Sequence, residues 1–382
     1  MDFQFTEEQI LIRDMVREFA EQYVRPIAAE IDKNHRFPTE SIEPMAEAGL
    51  FGFNLPEEFG GSGKDSLSYV LASEEMAKVS AAHGMIMGSQ CTLTVPIINK
   101  YGTQEMKQRI IPNAVAGKYL GCFCLSEPGA GCDAASQKTT AVRKGDTYVI
   151  NGSKLWITNA PQGTIYIVFA MTDLNKGVKG ISAFLVERGQ PGTEGLSVGV
   201  PEEKMGMGGS HTTELFLKDV VVPAENLLGK EGEGFKIAME TLDGGRMGVA
   251  AMALGLAQAA LDATITYIKE RIQFGQPIAA NQGVRWMIAD MATRVECARL
   301  LTYRCAIAKD SGQPYTRESA MAKLYATETA MYVTEKAVQL HGGLGYTKSF
   351  PVERFMREAK LTEIFEGTSE IQRIVIANQV LR

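Results

Sequence analysis

The segment at residues 363–373, EIFEGTSEIQR, combines a carboxylate with a glycine at the start of a predicted helix. Glu366 in this position can serve structure or chemistry. In the structural role, Ser369 and Gln372 have the S-x-x-Q spacing of a capping box, and a nearby carboxylate is stabilised at the helix N-terminus by about a few tenths of a kcal/mol. In the chemical role, the carboxylate is a general base that removes a proton. The segment alone favours the structural role, because charged residues near helix starts are common.

Three further segments combine glycines with groups that can bind an anion. In SEPGAGCDA, residues 126–134, backbone amides and flexible glycines could cradle a phosphate. RIQFGQPI, residues 271–278, carries Arg271 after a predicted helix, and QLHGGLGY, residues 339–346, follows another predicted helix. A β connection, a basic residue at a helix C-terminus and a glycine cap are the ordinary structural alternatives. No G-x-G-x-x-G opens a helix after a strand, so a bound dinucleotide would not be held by a Rossmann turn.

The composition excludes several classes of partner. A net charge of -6 and a pI near 5.5 argue against a nucleic-acid partner, which requires a basic face. The apolar stretches, such as residues 249–263, are too short and too rich in small residues to span a membrane. The N-terminus has no signal-peptide pattern and the six cysteines suggest no disulfide framework, so we expect a cytoplasmic protein. Neither these cysteines nor the four histidines have metal-ligand spacing, and no metal site is expected.

The hydropathy pattern divides the chain into three parts that must position these segments. Residues 1–118 are predicted to form an all-α domain, residues 119–228 a compact β domain of short strands, and residues 229–382 a second helical domain. This order excludes an alternating βαβ sheet. One long helix is predicted over residues 234–272, although Gly244 and Gly245 each weaken it by about 1 kcal/mol relative to alanine. That cost suggests that another group approaches the helix backbone there.

Taken together and in order, these segments resemble the acyl-CoA dehydrogenase family of flavoenzymes. The motifs that carry the resemblance are LSEPGAGCD at 125–133, WIT at 156–158, LDGGR at 242–246, RIQFG at 271–275, QLHGGLGY at 339–346 and IFEGTSEIQR at 364–373. The resemblance extends over essentially the whole chain, including LPEEFGG at 55–61. It implies an N-terminal all-α domain, a middle antiparallel β-barrel-like domain and a C-terminal four-helix bundle. It also implies a homotetramer, as a dimer of dimers, with one FAD per subunit.

The resemblance implies that FAD is held by two groups of residues. The first group is a loop and a strand, with Trp156 beside the flavin ring, and consists of Phe123, Leu125, Ser126, Gly131, Cys132, Trp156, Ile157 and Thr158. The second group would reach FAD across a subunit interface and consists of Arg271, Phe274, Gln282, Gln339, Leu340, His341, Gly342 and Gly343. Thr368 and Glu370 complete the expected cofactor set. On this interpretation a monomer would lack half of the site.

The resemblance also reverses the interpretation of Glu366, which matches the position of the family's general base. Glu366 would take the α-proton of an acyl-CoA thioester while a hydride leaves the β-carbon for flavin N5, which yields a trans-2-enoyl-CoA. Its backbone N–H would polarise the thioester carbonyl, and desolvation would raise its pKa towards neutrality. The expected substrate contacts are Cys132, Asp243, Gly244, Gly245, Arg246 and Gly367. Electrons would pass to an electron-transferring flavoprotein.

Three departures from the family pattern bear on this interpretation. Cys132 replaces a common serine and is a weaker hydrogen-bond donor, which puts one cofactor or substrate contact in doubt. Phe365 replaces a common tyrosine and removes a hydroxyl group. Gly245 occupies the position where the isovaleryl and long-chain branches carry their base, which favours Glu366 as the base here. LDGGR is most similar to the bacterial short-chain, butyryl-CoA type.

Several alternatives remain open from the sequence. The substrate could be a branched or alicyclic carboxyl-CoA, because one buried methylene changes the binding energy by only about 1 kcal/mol. An acyl-CoA oxidase would differ by producing peroxide in air. A flavin-loaded assembly or electron-relay subunit is the alternative without catalysis, and Glu366→Gln would leave its partner function intact. The physiological direction, acyl-CoA oxidation or enoyl-CoA reduction, is not encoded in the chain.

Overall fold

The computed structural model describes residues 4–381, and its first part is helical. Its helices are α1 Glu7–Phe19, α2 Arg25–Lys33, α3 Thr39–Glu47, α4 Ser66–Val79, α5 Ala81–Gly88, α6 Val95–Tyr101 and α7 Gln104–Val115. Two π-helical segments, Ala20–Val24 and Ser89–Thr94, join α1 to α2 and α5 to α6. Thr6 caps α1 as its sequence predicts: Gln9 N donates to Thr6 Oγ1 over 3.2 Å, and Thr6 N donates to Gln9 Oε1 over 3.0 Å.

The middle part is an eight-stranded sheet. Its strands are β1 Gly121–Cys124, β2 Thr140–Lys144, β3 Thr147–Thr158, β4 Ile165–Met171, β5 Ile181–Glu187, β6 Leu196–Val198, β7 Thr212–Pro223 and β8 Leu227–Leu228. They are ordered β6-β7-β3-β2-β4-β5-β8, and β1 pairs with β4. Most pairs are antiparallel as predicted, but β1 and the start of β2 run parallel to β4, with Gly121 opposite Ile165 and Thr140 opposite Met171. The sheet is therefore mixed where it approaches the helices.

The last part returns to helices. They are α8 Gly234–Glu270, α9 Gln282–Asp310, α10 Thr316–His341, α11 Val352–Thr362 and α12 Ser369–Val380, with the short hairpin β9 Ile272–Gln273 and β10 Gln276–Pro277 after α8. The predicted long helix is thus confirmed as α8. The order of an all-α part, a β part and a second helical part is also confirmed, whereas the limits 1–118, 119–228 and 229–382 stay a prediction.

Helix α8 is the central element of the chain. It packs against α4 of the first part, β5 of the sheet, and α9, α10 and α11 of the last part. Among the described residues it alone is long and apolar enough to cross a membrane, but 72% of its most apolar window is buried. Such burial is typical of a core helix in a globular protein.

Strand β4 contributes its two faces to two different hydrophobic cores. Ile165, Ile167 and Phe169 pack with the cluster that includes Ile98 of α6 and Ile110 of α7. The alternate residues of β4 face a second cluster with residues of β3, β5 and β7. This period of two is that of a strand buried on both sides. The sheet is thereby attached to the helices on one face and closed by its own strands on the other.

Helices α4 and α8 lie in close contact at Gly255. A Cβ at this position would overlap Glu74 O and lie 2.9 Å from Ala77 Cβ. We therefore expect Gly255→Ala to lower the free energy of unfolding by about 1–3 kcal/mol, because the two helices would have to separate. The denaturant midpoint measures this change.

Gly283→Ala in α9 is the matched control for this prediction. No heavy atom lies within 4 Å of the Cβ it would add. Helix propensity alone should then stabilise the protein by up to about 1 kcal/mol. Equal midpoints for the two variants would show that the contact between α4 and α8 tolerates a methyl group.

Candidate active site

Glu366 lies in the turn between α11 and α12, in a left-handed backbone conformation. Its φ is +52°, and that of Gly367 is +95°. A residue other than glycine in this region costs about 1–3 kcal/mol and persists only where the surroundings impose it. Here Lys323 Nζ and Gln372 Nε2 each donate to Gly367 O over 2.8 Å. Two buried side chains thus hold the turn from α10 and α12.

The cap of α12 differs from the sequence prediction. The N-cap residue is Thr368, whose Oγ1 accepts a hydrogen bond from Ile371 N over 3.3 Å. Ser369 is the first helical residue, and its hydroxyl has no partner among the described residues. The predicted capping box is wrong because the helix begins one residue earlier than that box requires, and because the Gln372 amide is bound to Gly367 O.

The Glu366 carboxylate lies against the backbone of α8. A Cβ on Gly245 would overlap Glu366 Oε2 and would lie 2.8 Å from Leu93 Cδ2. The sequence expectation that a group approaches α8 here is therefore confirmed for Gly245. It does not extend to Gly244, where the nearest atoms to an added Cβ would be Thr92 O at 3.6 Å and Tyr315 Oη at 3.8 Å.

Burial governs the electrostatics of Glu366. Its Oε2 is inaccessible to solvent and has no hydrogen-bond partner among the described residues. Burial raises the pKa of Glu366 to about 7, although the positive charges of Lys323 and Arg246 oppose the rise. The expected shift towards neutrality is confirmed. A carboxylate with this pKa is matched to accept a proton near neutral pH.

A large open cavity of about 640 Å³ lies beside Glu366. It brings together twelve residues that the sequence assigned to the site: Phe123, Leu125, Ser126, Gly131, Cys132, Trp156, Ile157, Thr158, Arg246, Glu366, Gly367 and Thr368. Sequence reasoning missed Met85 of α5, Leu93, and Arg357 and Lys360 of α11, which also line the cavity. Arg357 and Lys360 lie on the polar face of an amphipathic helix directly before Glu366, and that position was the available signal. For Met85 and Leu93 the sequence contains no comparable signal.

Trp156 forms part of the cavity wall at an irregularity of β3. The pairing of β3 with β7 shifts between Lys154 and Ile157, and Trp156 has a left-handed φ of +63°. A bulge of this kind re-aims a side chain out of the sheet. As a result, the indole is 57% exposed on the cavity side although its neighbour Ile157 is buried.

A buried ion pair holds the glycine-rich loop that follows β1. Lys154 Nζ donates to Glu127 Oε1 over 2.8 Å, to Gln137 Oε1 over 3.0 Å and to Leu125 O over 3.2 Å. The Glu127 carboxylate also accepts from two backbone amides, Lys138 N at 2.6 Å and Thr139 N at 3.0 Å. Because every oxygen and proton of the pair is used, its burial is compensated. The start of the loop at 126–134 is therefore held rigidly by this ion pair.

Asp243 acts behind the cavity wall rather than in it. Arg246 Nη1 donates to Asp243 Oδ1 over 2.7 Å, and Thr316 Oγ1 donates to Asp243 Oδ2 over 2.5 Å. Arg246 itself lines the cavity, and its Nε has no partner within residues 4–381. Asp243 thus orients a cation towards the cavity. Glu370 is exposed in the first turn of α12 and does not line it.

The second predicted group does not join the cavity within one chain. It comprises Arg271, Phe274, Gln282, Gln339, Leu340, His341, Gly342 and Gly343, none of which lines the cavity. Phe274 is 99% exposed at the tip of the β9–β10 hairpin and has a φ of +50°. His341 differs from the others because its ring is buried and stacks on Tyr267 at 4.3 Å. The chain alone therefore presents these residues at a separate surface.

Comparison with known proteins identifies the class to which this fold and site belong. Models of the acyl-CoA dehydrogenase N-terminal, middle and C-terminal domains match residues 6–118, 122–220 and 232–381. The chain belongs to the acyl-CoA dehydrogenase family. It is 51% identical, over the full length of both chains, to the short-chain specific acyl-CoA dehydrogenase of Clostridium acetobutylicum.

Two solved structures support the same assignment. Butyryl-CoA dehydrogenase from Megasphaera elsdenii matches with a TM-score of 0.97 and 45% identity, and the match covers 100% of both chains. A chain in the structure of the electron transferring flavoprotein of Acidaminococcus fermentans matches with a TM-score of 0.98 and 51% identity, again over 100% of both. The chain is therefore an oxidoreductase of this family, and the three-part fold predicted from the motifs is confirmed.

Substitution of the two adjacent glycines of α8 tests the contact between this helix and the Glu366 carboxylate. Gly245→Ala should displace the carboxylate and lower turnover by about 100-fold, the effect expected of a shift near 1 Å at a reacting group. Gly244→Ala is the matched control on the same helix and should change turnover little, because its Cβ would make only ordinary contacts. Steady-state kinetics measures both, and equal losses would contradict this account of Gly245.

The raised pKa of Glu366 also predicts a pH-dependent stability. The folded-state pKa of about 7 exceeds the ordinary value of 4.5, so the folded protein binds more protons between these values and loses stability as the pH rises through them. Glu366→Gln removes this loss, which is on the order of 3 kcal/mol. Denaturant midpoints should thus agree near pH 4.5 and favour the variant above pH 7. Glu105→Gln, at an exposed position of α7, is the control for the loss of a carboxylate that does not lie in the site.

Proposed function

We propose that this chain catalyses the FAD-dependent α,β-dehydrogenation of a short-chain acyl-CoA such as butyryl-CoA, with Glu366 as the general base. The observation that carries the proposal is the unpaired Glu366 Oε2, held against Gly245 at the wall of the cavity. A carboxylate without a partner is costly to bury, and such groups are typical of catalytic sites. The names of the similar proteins support the choice of substrate.

The cavity residues fit FAD. Added Cβ atoms on Gly129 and Gly131 would meet no heavy atom within 4 Å, so space is open beside the loop backbone. The Ser126 and Thr158 hydroxyls line the cavity or its edge without a hydrogen bond to any described residue, and Trp156 offers an aromatic face. Bound FAD would supply the hydride acceptor. In this proposal the loop at 126–134 and the strand end at 156–158 hold the cofactor, and Glu366 stands at the opposite wall.

The chain's own residues account for the proton step. Glu366 takes the α-proton on its ionised carboxylate, and its pKa of about 7 suits it to accept that proton near neutral pH. The Glu366 N–H donates to no described acceptor, so it is available to the thioester oxygen on which negative charge develops. Gly367 lines the cavity beside that amide, and Arg246 adds a positive charge at the wall.

A small second cavity supports a short acyl chain. It has a volume of about 10 Å³ and shares Met85 and Glu366 with the large cavity. Tyr69 lines this second cavity, and an added Cβ on Gly248 would lie 2.8 Å from Tyr69 Oη and one on Gly88 would lie 3.3 Å away. Little space therefore remains behind Met85 for further methylenes.

The assembly and location are also proposals. We infer a homotetramer, as a dimer of dimers, in which Arg271, Phe274, Gln282 and residues 339–343 contact FAD of a neighbouring subunit, while Thr368 and Glu370 belong to the cofactor set without an assigned subunit. The exposure of Phe274 and its hairpin supports this inference. We expect an electron-transferring flavoprotein as the partner, in keeping with the A. fermentans structure. A cytoplasmic location is expected from the sequence.

Anaerobic reduction of the bound flavin tests the function. Acyl-CoA thioesters from acetyl-CoA to octanoyl-CoA are added to the purified holoprotein, and loss of flavin absorbance is followed. Butyryl-CoA should reduce the flavin fastest, because the cavity behind Met85 is small. Glu366→Gln should retain FAD and bind the thioester but slow the reduction by about 100- to 10,000-fold, since the general base is lost.

The outcomes separate the alternatives. A flavin that stays oxidised with every acyl-CoA would exclude the proposal, and an optimum with branched or alicyclic thioesters would correct the substrate. Peroxide formation in air at the rate of turnover would indicate an oxidase. Retained partner function in Glu366→Gln, without any acyl-CoA oxidation by the unmodified protein, would indicate an electron-relay subunit.

A further inference from the structure

Lys323 of α10 is a completely buried lysine next to the Glu366 turn. Its side chain is 0% exposed, and its one hydrogen bond among the described residues goes to Gly367 O over 2.8 Å. The same oxygen already accepts a bond from Gln372 Nε2 at 2.8 Å. A neutral residue at position 323 would therefore leave the carbonyl satisfied.

The charge of Lys323 thus requires a separate explanation. Burial lowers the pKa of Lys323 to about 8, because an ammonium group loses its hydration inside the protein. The Glu366 carboxylate is the largest influence that opposes this fall, followed by Glu363, while Glu370 contributes less. The buried ammonium is consequently stabilised chiefly by the carboxylate of the proposed base.

The groups that face Glu366 come from three helices. Lys323 of α10 is the stronger of two cations that lower the pKa of Glu366, and Arg246 of α8 is the other. Arg246 is already paired with Asp243, which offsets part of its charge. The Tyr69 phenol of α4 is near enough for the Glu366 charge to raise its pKa further, after the larger effect of burial. Lys323, in contrast, forms no salt bridge with a carboxylate among the described residues. The negative charges that stabilise its ammonium group are those of Glu366 and of its neighbours along the turn.

We propose that Lys323 is a positioning residue that fixes the Glu366–Gly367 turn and, through its buried positive charge, keeps the base carboxylate ionised at neutral pH. The inference rests on the proposed function of Glu366 as general base. It explains why α10 carries a charged lysine, rather than a neutral hydrogen-bond donor, inside the protein beside this turn.

Two neutral substitutions test the charge. Lys323→Met removes both the charge and the donor, whereas Lys323→Gln removes the charge and keeps an amide donor. Both should raise the pH at which half of Glu366 is protonated by about one unit or more, the usual effect of removing a nearby opposite charge. The acid side of the pH profile of flavin reduction by butyryl-CoA should move by the same amount, so that the rate at pH 6 falls about tenfold or more.

A measurement without substrate gives a second readout. The infrared carbonyl band of protonated Glu366 is assigned as the band that is missing from Glu366→Gln, and its pH titration is followed in each variant. Gln372→Met is the matched control, because it removes the other donor to Gly367 O without removing a charge. It should loosen the turn and lower turnover, but it should not move the titration midpoint.

Each outcome decides the inference. A higher midpoint in both Lys323 variants, but not in Gln372→Met, supports it. An unchanged midpoint in Lys323→Gln, or equal shifts in all three variants, overturns it and leaves Lys323 a purely structural residue. If the unmodified protein fails to reduce its flavin with any acyl-CoA, the proposed function fails instead, and the infrared titration still reports whether Lys323 controls the ionisation of Glu366.

Discussion

The carboxylate of Glu366 can lie where it does only because α8 has no side chain at Gly245. The absence of a side chain there lets a carboxylate rest against a helix in the centre of the protein, with its Oε2 inaccessible to water. The desolvation that follows brings the pKa of Glu366 close to neutrality, and the left-handed turn with its two buried donors keeps the carboxylate from turning away. The other elements of the site are arranged around this contact.

The opposite wall of the cavity depends on a different kind of rigidity. There a bulge in β3 turns Trp156 outwards. Two residues earlier on the same strand, the buried Lys154 holds the glycine-rich loop through its ion pair with Glu127. Strand β3 therefore supplies both the aromatic face and the anchor of the glycine-rich loop. The two walls belong to separate hydrophobic cores, and α8 connects them.

Much of this arrangement was predictable from the sequence, and the reasons for the failures are physical. Periodicity gave the three parts of the chain and the long helix α8, and a pair of costly glycines indicated the approach of another group, although only Gly245 requires it. Twelve of the site residues predicted from the motifs line one cavity in the structure. Lys154 and Lys323 were missed because a lysine within a strand or a helix is expected on the surface, and only the tertiary fold buries it. The parallel pairing of β1 with β4 was missed because a strand of four residues contains no signal for the direction of its partner.

The position of α8 has a consequence for how the chain can be divided. This helix buries one side against α4, another against β5, and the rest against α9, α10 and α11. A fragment that ends before residue 234 would leave α4 and the sheet without the surface that covers them, and a fragment that begins there would expose a largely apolar helix to water. Although the sequence motifs follow one another like separate modules, α8 contributes residues to two of the hydrophobic cores, so neither fragment keeps all of its packing surface.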